Sequence, residues 1–148
     1  MYNLFEQKHF ADILNRLEKL QPTTNAQWGK MKVDQMLAHC AITLSTPFAP
    51  NTKQHLLGKI FGKMAKKSSL SNAPFKKNSP TDKSFIVKDA RQFEIEKANL
   101  IAGIKRFTEA GPNGITNNKH PFFGEFTSKD WSFLMHKHLD HHLKQFGV

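Results

Sequence analysis

The stretch Trp131–Gln145, WSFLMHKHLDHHLKQ, has the apolar spacing of a helix but unexpected residues at the centre of its stripe. With Trp131 at zero and 100° per residue, Met135 falls at about +40°, Leu134 at −60°, His138 at −20°, His142 at +20° and Gln145 at −40°. A bundle helix normally places leucines at these positions. Polar groups in a core are costly unless something pairs with them, so the rest of the chain, or a metal, must supply a partner.

Reading outward, Thr127 with Asp130 three residues on forms a capping box that starts this helix, which ends at Gly147. Before it, Asn113 to Phe126 reads as a loop carrying HPFFGEF. A helix over Ala90–Ala110 buries Phe93, Leu100, Ile101, Ile104 and Phe107, with Asp89 and Gln92 as a capping box and Gly111-Pro112 as the stop. Towards the N-terminus, Leu4–Leu20 repeats Phe10, Ile13, Leu14 and Leu17 at helical spacing, with Asn3 as its cap. A second helix, Lys32–Thr46, carries the stripe Val33, Met36, Leu37, Cys40 and Leu44 and stops at Pro47. Cys40 points into that stripe and reads as packing.

The segment from Phe48 to Lys88 connects the second and third long helices. His55–Lys66 predicts one short helix, with Leu56, Ile60, Phe61 and Met64 inward, and the remainder reads as loop. A connection of this length carries the chain from one end of a bundle to the other. The expected fold is all-α: one domain over residues 1–148, a four-helix bundle with a long crossover between helices two and three.

The chain has 148 residues, 39% of them hydrophobic, which suffices for a core. A single cysteine excludes an intrachain disulfide. The first ten residues lack a signal pattern and no apolar run reaches membrane-spanning length, so a cytoplasmic protein with no membrane association is expected. The formal charge of +10 is uneven. Phe48 to Lys88 holds nine lysines against one acid, Asp82, a net of +8. Few aromatics interleave with these lysines and arginine is almost absent, so solvated lysines are the expectation and nucleic-acid binding the lesser alternative.

His138 and His142, four apart, share one helix face and are close enough to hold one ion. Leu139 stands where a zincin would have its glutamate, which excludes that mechanism. Neutral imidazole suits Zn, Ni, Cu and Fe. His39, the lone histidine of the second helix and at the edge of its stripe, is the leading third ligand. Spacing alone equally allows a pair of core histidines bonded to Gln145, to backbone or to each other. By the same wheel His136 falls at about 140° and is expected in solvent, while His141, at about −80°, lies on the flank. His9 reads as a surface histidine. Gln145 is placed to fix a ligand or a bound water, or to cap a neighbouring helix. His120, Phe122 and Phe123 are expected at the mouth of the metal pocket, because their loop immediately precedes the last helix. The alternative is that Pro121 and the aromatics only staple the helix start.

Trp28-Gly29-Lys30-Met31, Gln35-Met36-Leu37-Ala38-His39, His120-Pro121-Phe122-Phe123-Gly124 and Lys137 to Val148 (KHLDHHLKQFGV) occur in an order and spacing that resemble the DinB-like (YfiT-like) four-helix-bundle superfamily. The likeness is to a branch of unknown function and covers essentially the whole chain. It implies His39, His138 and His142 as ligands of a divalent metal, Zn before Ni, Mn or Fe, with Gln145 supporting them. It further implies an enzyme in which the metal activates a low-molecular-weight thiol or water for transfer or hydrolysis on a small-molecule substrate. A homodimer is common in proteins of this look. The competing expectation is a non-catalytic metal-binding or interaction module.

Overall fold

The protein is described here by a computed structural model covering residues 2–50 and 53–148. The helix that carries the paired histidines begins where the capping signal puts it. Asp130 N donates to Thr127 Oγ1 at 3.1 Å, and Thr127 N donates to Asp130 Oδ2 at 3.0 Å. These two bonds satisfy backbone donors that the first helical turn leaves open. The chain is mainly helical, with five α-helices among the described residues: α1 Gln7–Glu18, α2 Val33–Ser45, α3 Leu56–Ser69, α4 Phe93–Ala110 and α5 Ser128–Gln145. A two-stranded antiparallel hairpin, β1 Lys119–His120 with β2 Gly124–Glu125, stands where only loop is expected; it pairs Lys119 with Glu125 and His120 with Gly124.

Packing follows the stripes. Ile13 and Leu17 of α1, Met36, Leu37, Cys40 and Leu44 of α2, Leu100, Ile104 and Phe107 of α4, and Trp131, Met135, Leu139 and Leu143 of α5 form one buried cluster. Each such aliphatic side chain, fully buried, stabilises by about 1.5–3 kcal/mol. Contacts join α2 to α4 along their length, and also α1 to α4, α1 to α5 and α2 to α5. Trp131 is completely buried and its indole N–H donates to the Asn117 carbonyl at 2.6 Å.

α5 is buried on more than one side, with Trp131 to Lys137 inaccessible without a break. The N-terminal segment covers the face expected in water. Leu4 N donates to Ser132 Oγ, which donates to Asn3 Oδ1, both at 2.7 Å. Asn3 is thereby engaged, and Glu6 rather than Asn3 is the N-cap of α1. On another side Lys137 Nζ donates to the carbonyls of Ser69 and Ser71 at 2.9 and 2.8 Å.

Two further expectations are corrected. α4 starts at Phe93 with Gln92 as N-cap and no side-chain cap bond. Asp89 instead pairs with Arg91 at 3.1 Å, and Arg91 N donates to Asp34 of α2 at 2.8 Å, which ties the two helices together. α3 forms as the periodicity predicts but faces the opposite way. Leu56, Ile60, Phe61 and Met64 are 74, 65, 50 and 73% exposed, while Gly58 and Gly62 are buried against the Phe122 backbone. The reason is polar anchoring of this helix to the hairpin. His55 N donates to the Pro121 carbonyl at 2.8 Å and Gln54 Nε2 to the Phe122 carbonyl at 2.9 Å. Lys66 Nζ reaches the Glu125 carbonyl at 2.6 Å and Asp130 at 2.9 Å. Only side-chain-free positions allow so close an approach of backbone to backbone.

Candidate metal centre

α2 and α5 bring His39, His138 and His142 together, with one ring nitrogen from each within 4.8 Å of the others. Ring centroids are 4.9 Å apart for His39–His138 and His39–His142, and 4.6 Å for His138–His142. His39 and His142 are buried and His138 is half-buried. No fourth His, Cys, Asp or Glu joins them among the described residues.

The hydrogen bonds fix which nitrogen is available on His39 and on His142. His39 Nδ1 lies 2.7 Å from the Phe85 carbonyl, which can only accept, so Nδ1 carries the proton and Nε2 a lone pair. His142 Nδ1 donates to Gln145 Oε1 at 2.8 Å, and Gln145 Nε2 donates in turn to the Trp28 carbonyl at 2.7 Å. His138 Nδ1 is 3.4 Å from Thr43 Oγ1. That hydroxyl lies 2.9 Å from the Cys40 carbonyl, to which it donates. The Nδ1 bonds of His39 and His142 leave Nε2 as the lone-pair nitrogen of each of those two rings. This back-bonding on Nδ1 is the arrangement that orients metal-ligating histidines.

Burial sets the charge state. It lowers the pKa of His39 despite the opposing bond to Phe85. It drives His138 well below the ordinary value, with His142 and His39 adding to the effect. It brings His142 to about 3, with His39 adding to the fall and the Gln145 bond opposing it. At neutral pH the three rings are uncharged, as ligands must be. The Nε2 atoms of His39 and His138 are 3.0 Å apart, a separation at which one Nε2–H donates to the other in the metal-free protein. A cation held by both nitrogens would replace that hydrogen bond, and two Zn–N bonds of about 2.0–2.1 Å span such a gap. Neutral imidazole donors with no carboxylate suit Zn, Ni or Fe better than Mg or Ca. The residues fit a divalent transition-metal ion.

Gln145 sits behind His142, and the Trp28-Gly29 turn holds it there. Gly29 has φ +83°, and a Cβ at this position would lie 2.6 Å from Gln145 Nε2. The Phe85 and Trp28 carbonyls and the Thr43 hydroxyl complete the support of the three rings. The two carbonyls could not be found from the sequence, since a backbone carbonyl leaves no mark in the residue type.

The remaining histidines fall elsewhere. His141 packs edge-on against Trp28 and Phe75, both at 5.8 Å, and against His142 at 5.2 Å. It lines a cavity of about 320 Å³ with Trp28, Phe75, Lys77, Lys137 and Lys144. His136, expected in solvent, is 2% exposed, stacked on Tyr2 at 4.7 Å, with neither ring nitrogen hydrogen-bonded. The N-terminal segment folding over α5 buries it, and burial lowers its pKa to about 4. His9 is half-buried, its Nδ1 3.2 Å from Asn3 N.

The structure places His120 and Phe123 against Phe126 and Trp131 at the start of α5, while the Phe122 backbone lies against Gly58 and Gly62 of α3. The His120 ring lies 4.3 Å from Phe123 and 5.2 Å from both Phe126 and Trp131, and its Nδ1 accepts from Phe122 N and Phe123 N. His138 is seven residues further, about 10 Å along the helix. Among the described residues, no hydrogen bond or ring contact links this loop to the three imidazoles. The aromatic walls nearest the cluster come from Trp28 and Phe75, because the hairpin is tied to the start of α5 and the His pair lies towards its end.

Neither a curated protein nor a solved structure matches the chain. A family model does, over residues 4–147, and the chain belongs to that family, DUF1569, a family of proteins of unknown function.

Proposed function

We propose that the protein is a metal-dependent enzyme in which His39, His138 and His142 hold a divalent ion, Zn before Ni, Mn or Fe, that activates a thiol or water for transfer or hydrolysis. The observation that carries this reading is the convergence of His39, His138 and His142, one ring nitrogen of each within 4.8 Å of the others, with Nδ1 of His39 and of His142 bonded to acceptors. When bound, such an ion supplies Lewis acidity and lowers the pKa of a thiol or water at neutral pH. Three uncharged ligands leave its charge uncompensated, which favours an anionic fourth partner. The lack of a fourth His, Cys, Asp or Glu among the described residues supports an open position, and with it a catalytic rather than a purely structural site.

The chain's own contribution is orientation and selection. Phe85, Thr43 and Gln145 fix the rings, and the apolar surroundings of α2 and α5 keep them neutral. Lys77, Lys137 and Lys144 line the cavity beside His141 against one acid, Asp140. This balance suits an acidic small molecule, such as a low-molecular-weight thiol bearing carboxylates. The packing of α1, α2, α4 and α5 on one another, with α3 in the connection between α2 and α4, supports a DinB-like four-helix bundle with a long crossover.

Cobalt-substituted protein tests the reading. Adding a low-molecular-weight thiol is expected to produce a sulfur-to-cobalt charge-transfer band in the near ultraviolet that His142→Ala abolishes. If no thiol alters the spectrum and the visible bands do not shift with pH, the ion has no exchangeable position and the protein is a non-catalytic metal module.

A further inference from the structure

The outer face of α3 belongs to no part of the histidine cluster and carries five of the nine large apolar side chains left exposed among the described residues. Leu56, Leu57, Ile60, Phe61 and Met64 are 74, 63, 65, 50 and 73% exposed. The orientation is fixed rather than incidental, because Gly58 and Gly62 seat the opposite face on the Phe122 backbone and Lys66 is held by Asp130. With Leu56 at zero, Ile60, Met64, Leu57 and Phe61 fan across an arc from about 40° to 140°. Lys67, Lys63 and Lys59 form a row beside it at about 20°, −20° and −60°. All three lysines are exposed, and none is in an ion pair among the described residues. The helix contains no acid.

An apolar arc edged by a row of unpaired lysines is the pattern of a helix lying in a membrane interface. No helix of the described residues is long and apolar enough to cross a membrane, so the contact is peripheral. A second copy of the chain is a poorer occupant, since it brings another strongly basic segment, Phe48 to Lys88, and no acid on α3 to meet these lysines. An anionic lipid surface satisfies both halves of the face, taking the apolar arc at the acyl boundary and the lysines at the headgroups. We propose that α3 docks the protein on anionic membrane surfaces, independently of the metal centre.

Cosedimentation of the full chain with vesicles tests this, using phosphatidylcholine alone and phosphatidylcholine mixed with phosphatidylserine. Binding is expected only to the mixed vesicles and is expected to weaken with salt. Ile60→Gln with Met64→Gln should lower partitioning at least tenfold while leaving the circular-dichroism melt unchanged, because both residues are exposed. Lys59→Gln, Lys63→Gln and Lys67→Gln together should lower it about a hundredfold, roughly a factor of five per lysine. Failure to cosediment at low salt overturns the proposal, as does binding that ignores the apolar double variant. So does a stable dimer that Ile60→Gln converts to monomer, which would make α3 an interface between copies. Equal, lysine-dependent binding of nucleic acid that the apolar variant leaves intact would assign the lysines to that partner instead.

Discussion

Gln145 links the three-histidine cluster to the rest of the chain, accepting from His142 Nδ1 and donating to the Trp28 carbonyl. Gln145→Leu removes both bonds without removing a ligand. Metal affinity, read by competition with a chelator, is expected to fall about 10–100-fold with the helical circular dichroism retained. Its position on the helix wheel marks Gln145 as a support from the sequence, but its second partner is a carbonyl and cannot be read there. His136 shows the opposite failure. The wheel puts it in water because only one stripe of the helix is apolar, whereas the N-terminal segment buries that side as well. A buried imidazole with neither nitrogen bonded is a net cost, so His136→Phe is expected to stabilise by about 1 kcal/mol, a rise of about 3 °C in Tm. A fall in Tm would mean that the ring has a partner in solution. Burial also holds the folded pKa of His120 and His136 at about 4, below the ordinary value of 6.5. Below pH 6.5 the unfolded chain takes up protons that the folded one refuses, so stability is full above that pH and is lost as pH falls towards 4. In metal-free protein the urea midpoint should be flat above pH 7. Below pH 6.5 it should decline, as the unfolding free energy falls by about 1.4 kcal/mol per pH unit for each such histidine once its unfolded form is protonated.

α3 separates what periodicity can and cannot say about an element. The spacing of Leu56, Ile60 and Met64 identifies a helix, and a helix over Leu56–Ser69 is present. Which side faces the protein depends on what the helix meets, and here it meets a hairpin backbone that only glycine can approach. Gly58→Ala places a methyl group on the Phe122 carbonyl oxygen. Thermal unfolding should show a loss of about 1–3 kcal/mol, whereas Leu57→Gln on the exposed arc should stay within about 0.5 kcal/mol of the parent. Equal effects of the two changes would mean that α3 packs through its apolar arc after all. α5 was easier to read at its start than along its faces. The Thr127–Asp130 box is a local signal that survives folding, while the covers supplied by Asn3, Leu4, Ser69 and Ser71 come from distant parts of the chain.

At the scale of the whole molecule, the fold joins a histidine of α2 to a pair on α5 that lies about a hundred residues away in the chain. The pair was visible as spacing. The third histidine of the cluster was visible only as a histidine at the edge of a stripe, strengthened by the resemblance to the DinB-like superfamily. The role of the lysine-rich connection was not visible at all: it supplies the Phe85 carbonyl that turns His39 inward and the Phe75 wall beside His141. Its lysines explain the protein's charge without explaining the site. Everything said of the site's chemistry depends on three rings holding one ion. Metal analysis of protein purified without a polyhistidine tag tests that most directly, on the parent and on His138→Ala and His142→Ala. Close to one equivalent of a divalent transition metal is expected in the parent and almost none in either variant, with helical content preserved. A parent free of metal that also binds none on addition of zinc, or variants that keep the parent's metal content, would contradict that expectation.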